Sequence, residues 1–298
     1  MKPRLALPAL FAALTTVSVL PATADDCVPA VGVICYGGEA IDEAALLDRL
    51  RGADIAILGE RHDNPVHHEW QARLVAALAP AGLAFEMVAE ADEDIANAAR
   101  DSGDDLREAL NWDASGWGDW AMYAPIFDAA PDAWIAGGGV DRDMLMKAVS
   151  EGAAAAFGDR AARYRLDERF PQDVIEDMLD EQDRAHCGAL PTAMLPGMSE
   201  AQQLRDAAFA DAALRLLDRG QVVLITGNGH ARTDRGVPFF IDRAEPDAEV
   251  ISVGMIEVPE DGTSEGGQGP LPYDITVFTE PFDRGDPCEE FIKSRQKP

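Results

Sequence analysis

Residues 57–74 read ILGERHDNPVHHEWQARL, and the change of pattern inside them decides the fold. The apolar run 54–58 ends at Gly59, as a short buried strand does. Asn64 then supplies an N-cap side chain and Pro65 a pre-set first helical residue, so a helix is expected from Pro65 to about Ala79. Pro80 and Gly82 mark its stop. Three of the five histidines, His62, His67 and His68, fall at this strand-to-helix turn.

The same alternation continues outward. Asp42 caps an expected helix through Arg51, closed by Gly52. Residues 83–88 read as the next strand, followed by an acidic, alanine-rich helical stretch and the tryptophan-rich segment 112–123. The run 133–136 is a further strand, ending in Gly137-Gly138-Gly139. From about 143 to 218 the pattern is helical, an insert or a lid, with Ser199 and Gln202 as a capping-box pair. Residues 221–226 form the clearest strand and run into Gly227-Asn228-Gly229-His230. Strands are also expected at 250–256 and 275–278, with a Gly/Ser/Asp-rich surface loop at 260–270 between them. No internal repeat is evident. Strands alternating with helices specify an α/β fold, a mostly parallel central sheet with helices on both faces.

Composition sets the class of protein. With 298 residues, 47% of them hydrophobic, the chain can bury a sizeable core in one large domain, 25–298. Residues 1–24, MKPRLALPALFAALTTVSVLPATA, have a basic start, an apolar middle and a small-residue end. That is the pattern of a signal peptide cleaved after Ala24, giving a periplasmic or secreted protein with no remaining membrane span. Asp25-Asp26 before Cys27 is no lipobox. The formal net charge of −29 disfavours nucleic acid and anionic lipid as partners. Four cysteines in an exported chain favour two disulfides among three possible pairings. Cys27 with Cys35 and Cys187 with Cys288 are preferred, the second pinning the C-terminal tail.

In parallel sheets, ligands sit beyond the carboxyl ends of the strands. Glu60 and His62 follow one such end, Glu86 lies near another inside an apolar strand, and His230 follows a third. A carboxylate in an apolar strand needs a partner. On the helix from Pro65, His67 borders the apolar stripe of Val66, Trp70, Leu74 and Ala77, while His68 turns toward solvent and suits a site least. No Gly-x-Ser-x-Gly, His-Glu-x-x-His, P-loop or dinucleotide fingerprint is present. Glu60, His62, Glu86 and His230 remain as a cluster. It could ligate a divalent metal or a haem iron, or do acid–base work on water.

The chain resembles the ChaN-like haem-binding family, within the Tiki/TraB and erythromycin-esterase-like superfamily. The resemblance rests on Leu58-Gly59-Glu60-x-His62-Asp63-Asn64-Pro65-x-His67-His68-x-x-Gln71, then Phe85-Glu86-Met87 and Trp117-x-x-Trp120-x-x-Tyr123-x-Pro125-Ile126. Ala201-Gln202-x-x-Arg205-Asp206 and Gly227-x-Gly229-His230-x-Arg232-x-Asp234-x-Gly236-Val237-Pro238 complete it. These motifs span about 34–256 in order. The resemblance implies a three-layer α/β/α fold, haem or iron handling outside the cytoplasm, and a possible homodimer around two stacked haems. It carries over Glu60, His62, His67, Glu86, Tyr123 and His230 as site candidates. As a binding protein, the chain would offer Tyr123 or a histidine to iron and Arg61, Arg142 or Arg232 to propionates, with Trp117 or Trp120 packed on the porphyrin. As a hydrolase of the same superfamily, it would use His62 or His230 as general base, with Glu60 and Glu86 orienting it or holding a metal. One departure is Gly139-Val140-Asp141-Arg142, where relatives often carry Asn-x-x-Arg. N-terminal sequencing of the exported protein is expected to start at Asp25; a mature chain beginning at Met1 would refute the leader.

Overall fold

The computed structural model describes residues 27–258, 271–286 and 288–289. The leader 1–24 with its cleavage point, and the loop 260–270, lie outside the described residues. The described strands are β1 (Ile34–Tyr36), β2 (Glu39–Ile41), β3 (Ile55–Glu60), β4 (Gly82–Ala89), β5 (Trp134–Gly139), β6 (Val222–Gly227), β7 (Val250–Glu257) and β8 (Ile275–Thr279). The α-helices are α1 (Glu43–Arg51), α2 (Pro65–Leu78), α3 (Glu93–Ser102), α4 (Leu106–Ala109), α5 (Trp112–Ser115) and α6 (Trp120–Ala129). They continue with α7 (Arg142–Glu151), α8 (Ala153–Phe157), α9 (Gln172–Ala185), α10 (Leu195–Leu214) and α11 (Val237–Ala244).

One sheet holds all eight strands in the order β2-β1-β8-β7-β3-β6-β4-β5. The run from β8 to β5 is parallel throughout, and β1 lies antiparallel to both β8 and β2. Parallel strands covered on both faces need apolar side chains on both, which is why the central strands read as unbroken apolar runs. Ile55 and Ile57 of β3 meet Val222 and Leu224 of β6 on one face, under α7, α8, α10 and α11. Ala56 and Leu58 meet Val223 and Ile225 on the other, under α1, α2 and α6.

The local signals fold as their chemistry dictates. Asn64 Oδ1 accepts the Val66 N–H at 2.9 Å to start α2, and Asp42 Oδ1 accepts the Ala45 N–H at 2.8 Å to start α1. The helix α2 ends at Ala79 in the left-handed region, at φ 46°. Two expectations are corrected. Ser199 and Gln202 are no capping box, because α10 begins a turn earlier, with Pro196 in its first turn, and Ser199 is buried within it. Nor is the helical stretch a lid, since Leu204, Ala207 and Phe209 of α10 pack directly on the sheet core.

Strand β4 is irregular where it matters. Phe85 pairs with Gly137 and Ala89 with Gly139, so Glu86, Met87 and Val88 stand opposite Gly138 alone. The bulged backbone comes so close that a Cβ on Gly139 would lie 2.8 Å from Val88 O. The triglycine is therefore the partner that the bulge requires.

Both preferred disulfides form, Cys27–Cys35 and Cys187–Cys288. The second joins the end of α9 to the C-terminal tail across 101 positions. Among the described residues no helix is long and apolar enough to cross a membrane. Replacing Cys187 and Cys288 together by serine is expected to cost about 4–5 kcal/mol in the chain-entropy account. Urea midpoints with and without the substitutions measure it, and unchanged midpoints would refute a stabilising bridge.

Candidate functional site

The register of β3 against β6 sets Glu60 beside Gly227. From this shared edge, β3 continues into α2 on one face of the sheet and β6 into α11 on the other. Neighbouring strands whose connections leave in opposite directions open a crevice at their carboxyl ends. Gly59 lets the two turns close up: a Cβ there would lie 2.6 Å from Asn228 Oδ1. The Asn228 amide bridges to β7, donating to Met255 O at 2.6 Å and accepting its N–H at 3.1 Å.

Glu60 is fully buried, and its partners come from three places. His62 Nδ1 donates to Oε1 at 2.8 Å, and the Tyr123 hydroxyl donates to the same oxygen at 3.1 Å. His68 Nδ1 lies 3.0 Å from Oε2, close enough for an ion pair but too bent to satisfy either atom as a hydrogen bond. Burial opposes the charge on Glu60, but the two histidines outweigh it and bring its pKa down to about 2. Burial likewise opposes protonation of His62, yet the bond to Glu60 and the charge of Glu86 raise its pKa to about 9.

Glu86 sits at the start of the bulge, and its Oε2 accepts from the Thr226 hydroxyl at 2.7 Å and the Gly227 N–H at 2.8 Å. Its Oε1 faces two imidazoles, His230 Nε2 at 3.5 Å and His62 Nε2 at 3.9 Å. Burial works against its ionisation, but these histidine charges and the two donors hold its pKa below the usual range. On the far side, His230 Nδ1 donates to Asp206 Oδ1 at 2.6 Å, and the Gln202 amide lies 3.0 Å from the same nitrogen. Burial raises Asp206 to about 6 against the pull of His230. Acid and imidazole thus alternate across the strand ends: Glu60, His62, Glu86, His230, Asp206. A cavity of about 660 Å³ opens on this chain at Glu86 and His230. Its walls are the bulge, the segment 109–117, residues 139–141, and Arg205 and Phe209 of α10.

The four clustered candidates, Glu60, His62, Glu86 and His230, do meet. Trp117 also belongs, lining the cavity with its ring 5.2 Å from that of His62. Others lie elsewhere. His67 is buried away from the crevice, where Nδ1 accepts the Arg61 N–H at 2.8 Å and Nε2 faces the Thr279 hydroxyl at 2.8 Å. Burial lowers its pKa to about 4, and both ring nitrogens are engaged away from the cavity. Tyr123 does not line the cavity: its hydroxyl donates to Glu60, and burial together with that carboxylate drives its pKa far above the usual tyrosine value. Arg232 grips Asp234 through two bonds, at 2.9 and 2.6 Å, and Arg61 faces Asp63 and Glu257. Neither reaches the cavity wall. Trp120 stacks on Phe127 instead, at 5.3 Å. Arg142 is exposed, one residue beyond the lining segment.

His68, expected to be the least suited histidine, is buried against Glu60. Arg205, Asp206 and Phe209 carried no assigned role and Gln202 only that of a helix cap, although their spacing along one helix puts them on a common face. Among the described residues no group of three or more His, Cys, Asp or Glu could hold a metal ion. The metal expectation for Glu60, His62, Glu86 and His230 is not met by this geometry, in which Glu60 Oε1 accepts from His62 and Tyr123 and Glu86 Oε2 from Thr226 and the Gly227 N–H.

A switch-point crevice with an imidazole–carboxylate chain and an adjoining cavity defines an α/β protein with a small-molecule site. A family model described as haem-binding uptake, Tiki superfamily, ChaN matches residues 46–241, and the chain belongs to that family. The structure is similar to one described as cofacial heme binding to ChaN of Campylobacter jejuni. Identity is 20%, the match covers 82% of this chain and 95% of that one, and the TM-score is 0.63. At that identity the likeness establishes the fold. Fainter likenesses are to the type III effector HopBA1, with 14% identity, coverage of 80% and 92%, and TM-score 0.47. The erythromycin esterase EreC in its open conformation gives 13%, 85% and 83%, and 0.38. No curated protein matches in sequence.

The raised pKa of His62 makes stability fall on the alkaline side. Its contact with Glu60 contributes fully below about pH 6.5 and is lost as pH rises through about 9. Because the His62 side chain is 41% exposed, solvent screening reduces the effect. Urea midpoints are expected to fall across this window in the native protein and to fall less in His62→Gln. Equal slopes would refute the assignment.

Proposed function

We propose that this protein binds haem in the switch-point cavity, with His230 as the iron ligand, and serves haem or iron handling outside the cytoplasm. One observation carries the reading: His230 Nδ1 is held by Asp206 at 2.6 Å while its ring lines the cavity. Metal-ligating histidines are oriented in this way, by a carboxylate on the nitrogen that does not bind the metal. The residues fit the group. The cavity volume lies within the range of cofactor sites, and Leu110, Trp112, Trp117, Val140, Leu145 and Phe209 give it apolar faces beside the carboxylates of Glu86, Asp92 and Asp141. Haem, when bound, would supply an iron centre that an imidazole can ligate. The protein's part is to orient His230, to keep it basic through Asp206 and to exclude water with the aromatic wall.

Membership of a haem-binding family supports the ligand. Two disulfides and the leader-like 1–24 support an oxidising compartment, periplasmic or external. A homodimer closed over two stacked haems extends the same proposal. Molar mass by light scattering, with and without haem, tests it.

A second reading has its own observation. Glu60–His62 and Asp206–His230 are two carboxylate-oriented imidazoles facing Glu86, the arrangement of a general base beside a charge-holding acid. Hydrolysis of small esters lost in Glu60→Gln, with no haem bound, would favour it.

The deciding experiment is a spectrophotometric haem titration. A saturable Soret band is expected for the native protein. His230→Ala should change the band, and Asp206→Asn should weaken affinity by about 10–100-fold. Tyr123→Phe and His67→Gln should leave the spectrum of the complex unchanged. No saturable band, or a band indifferent to His230→Ala, would overturn His230 as the iron ligand.

A further inference from the structure

Arg205 lines the cavity and is partly buried. Among the described residues it makes no hydrogen bond and no ion pair. The other described arginines that are not exposed each have a hydrogen-bond or ion-pair partner. Arg160, Arg215, Arg235 and Arg284 each reach a carboxylate, in a chain with 54 acidic residues against 25 basic ones. A guanidinium withdrawn from water without a counter-charge is costly. With acids this abundant, a missing partner marks a position that faces the cavity.

Position along α10 agrees. Gln202, Arg205, Asp206 and Phe209 fall on one helical face. Asp206 holds His230, the Gln202 amide lies beside it, and the Phe209 ring meets the His230 ring edge-on at 4.7 Å. Arg205 is thereby set at the His230 end of the cavity, where its charge opposes protonation of that histidine. The other charged wall residues do not answer it. Glu86 is balanced by His62 and His230, Asp141 accepts the Met144 N–H at 2.8 Å as a helix cap, and Asp92 makes no ion pair among the described residues.

We propose that Arg205 is the carboxylate anchor of the cavity, selecting a flat apolar ligand that carries a carboxylate, here a haem propionate. This rests on the haem reading for the identity of the ligand. The planar fork of arginine pairs with a carboxylate through two parallel bonds, which lysine cannot reproduce.

The test compares haem with haem dimethyl ester, which keeps the iron and the ring but removes both charges. The native protein is expected to prefer haem by about 10–100-fold, the scale of a hydrogen-bonded charge pair. In Arg205→Gln the preference should collapse toward unity, and Arg205→Lys should restore part of it. A protein that binds both ligands equally, or keeps its preference in Arg205→Gln, overturns the anchor and leaves haem binding intact. If neither porphyrin binds, the haem reading fails and the anchor is read by fluorescence with 1-pyrenecarboxylate against 1-pyrenemethanol. Preference for the carboxylate lost in Arg205→Gln supports the anchor, and no preference overturns it.

Discussion

A buried carboxylate at the end of a central strand is the constraint on which the site depends. Glu60 has no exposed side-chain surface, and an ion withdrawn from water costs several kcal/mol unless partners answer it. Its own strand cannot provide them, because the neighbours along β3 are apolar. The answers arrive from the loop after β3, from the first turns of α2 and from α6, as His62, His68 and Tyr123. Helix α2 must therefore start close to the strand end, and α6 must lie against α2. Glu60 sets the spacing of the layer above it.

The same logic repeats outward and gives the site its sign. Each acid in the chain from Glu60 to Asp206 has an imidazole on at least one side, so the centre is close to neutral within a strongly acidic protein. The acid excess lies at the surface, where water solvates it. The cavity thus starts from a wall whose charges are matched, apart from Arg205 on α10 and the carboxylates of Asp92 and Asp141. Overall charge is a poor guide to what such a protein binds.

Much of the architecture was legible because central parallel strands leave an unmistakable trace. Strands β3 to β8 are apolar runs closed by glycine or charge, and all six were readable. The hairpin of β1 and β2 was not, since three-residue strands carry no periodicity and Ile34 pairs with Val277 at the other end of the chain. At the site, Glu60, His62, Glu86 and His230 could be found because the carboxyl ends of parallel strands converge. The exchange of His67 and His68 shows the limit. An apolar stripe locates the side of a helix that faces the sheet, but in the first turn of α2 both histidines are buried, His67 against β8 and His68 against Glu60 and Tyr123. Asp206 left a fainter trace, four residues after Gln202 on an alanine-rich helix. Nothing in the sequence alone said which histidine that helix would meet.

The turn after β3 is held down from the far end of the chain. His67 reaches Thr279 across 212 positions, Asn64 donates to Glu257 at 2.6 Å and to Glu280 O at 3.1 Å, and Arg284 grips Asp63 at 2.6 Å. Contacts so distant in sequence form late and slowly. A chain made from its N-terminus carries the histidine turn unfinished until β8 and the tail have been synthesised. The nascent protein has the residues of the site without its geometry, so the crevice takes shape only once the chain is complete.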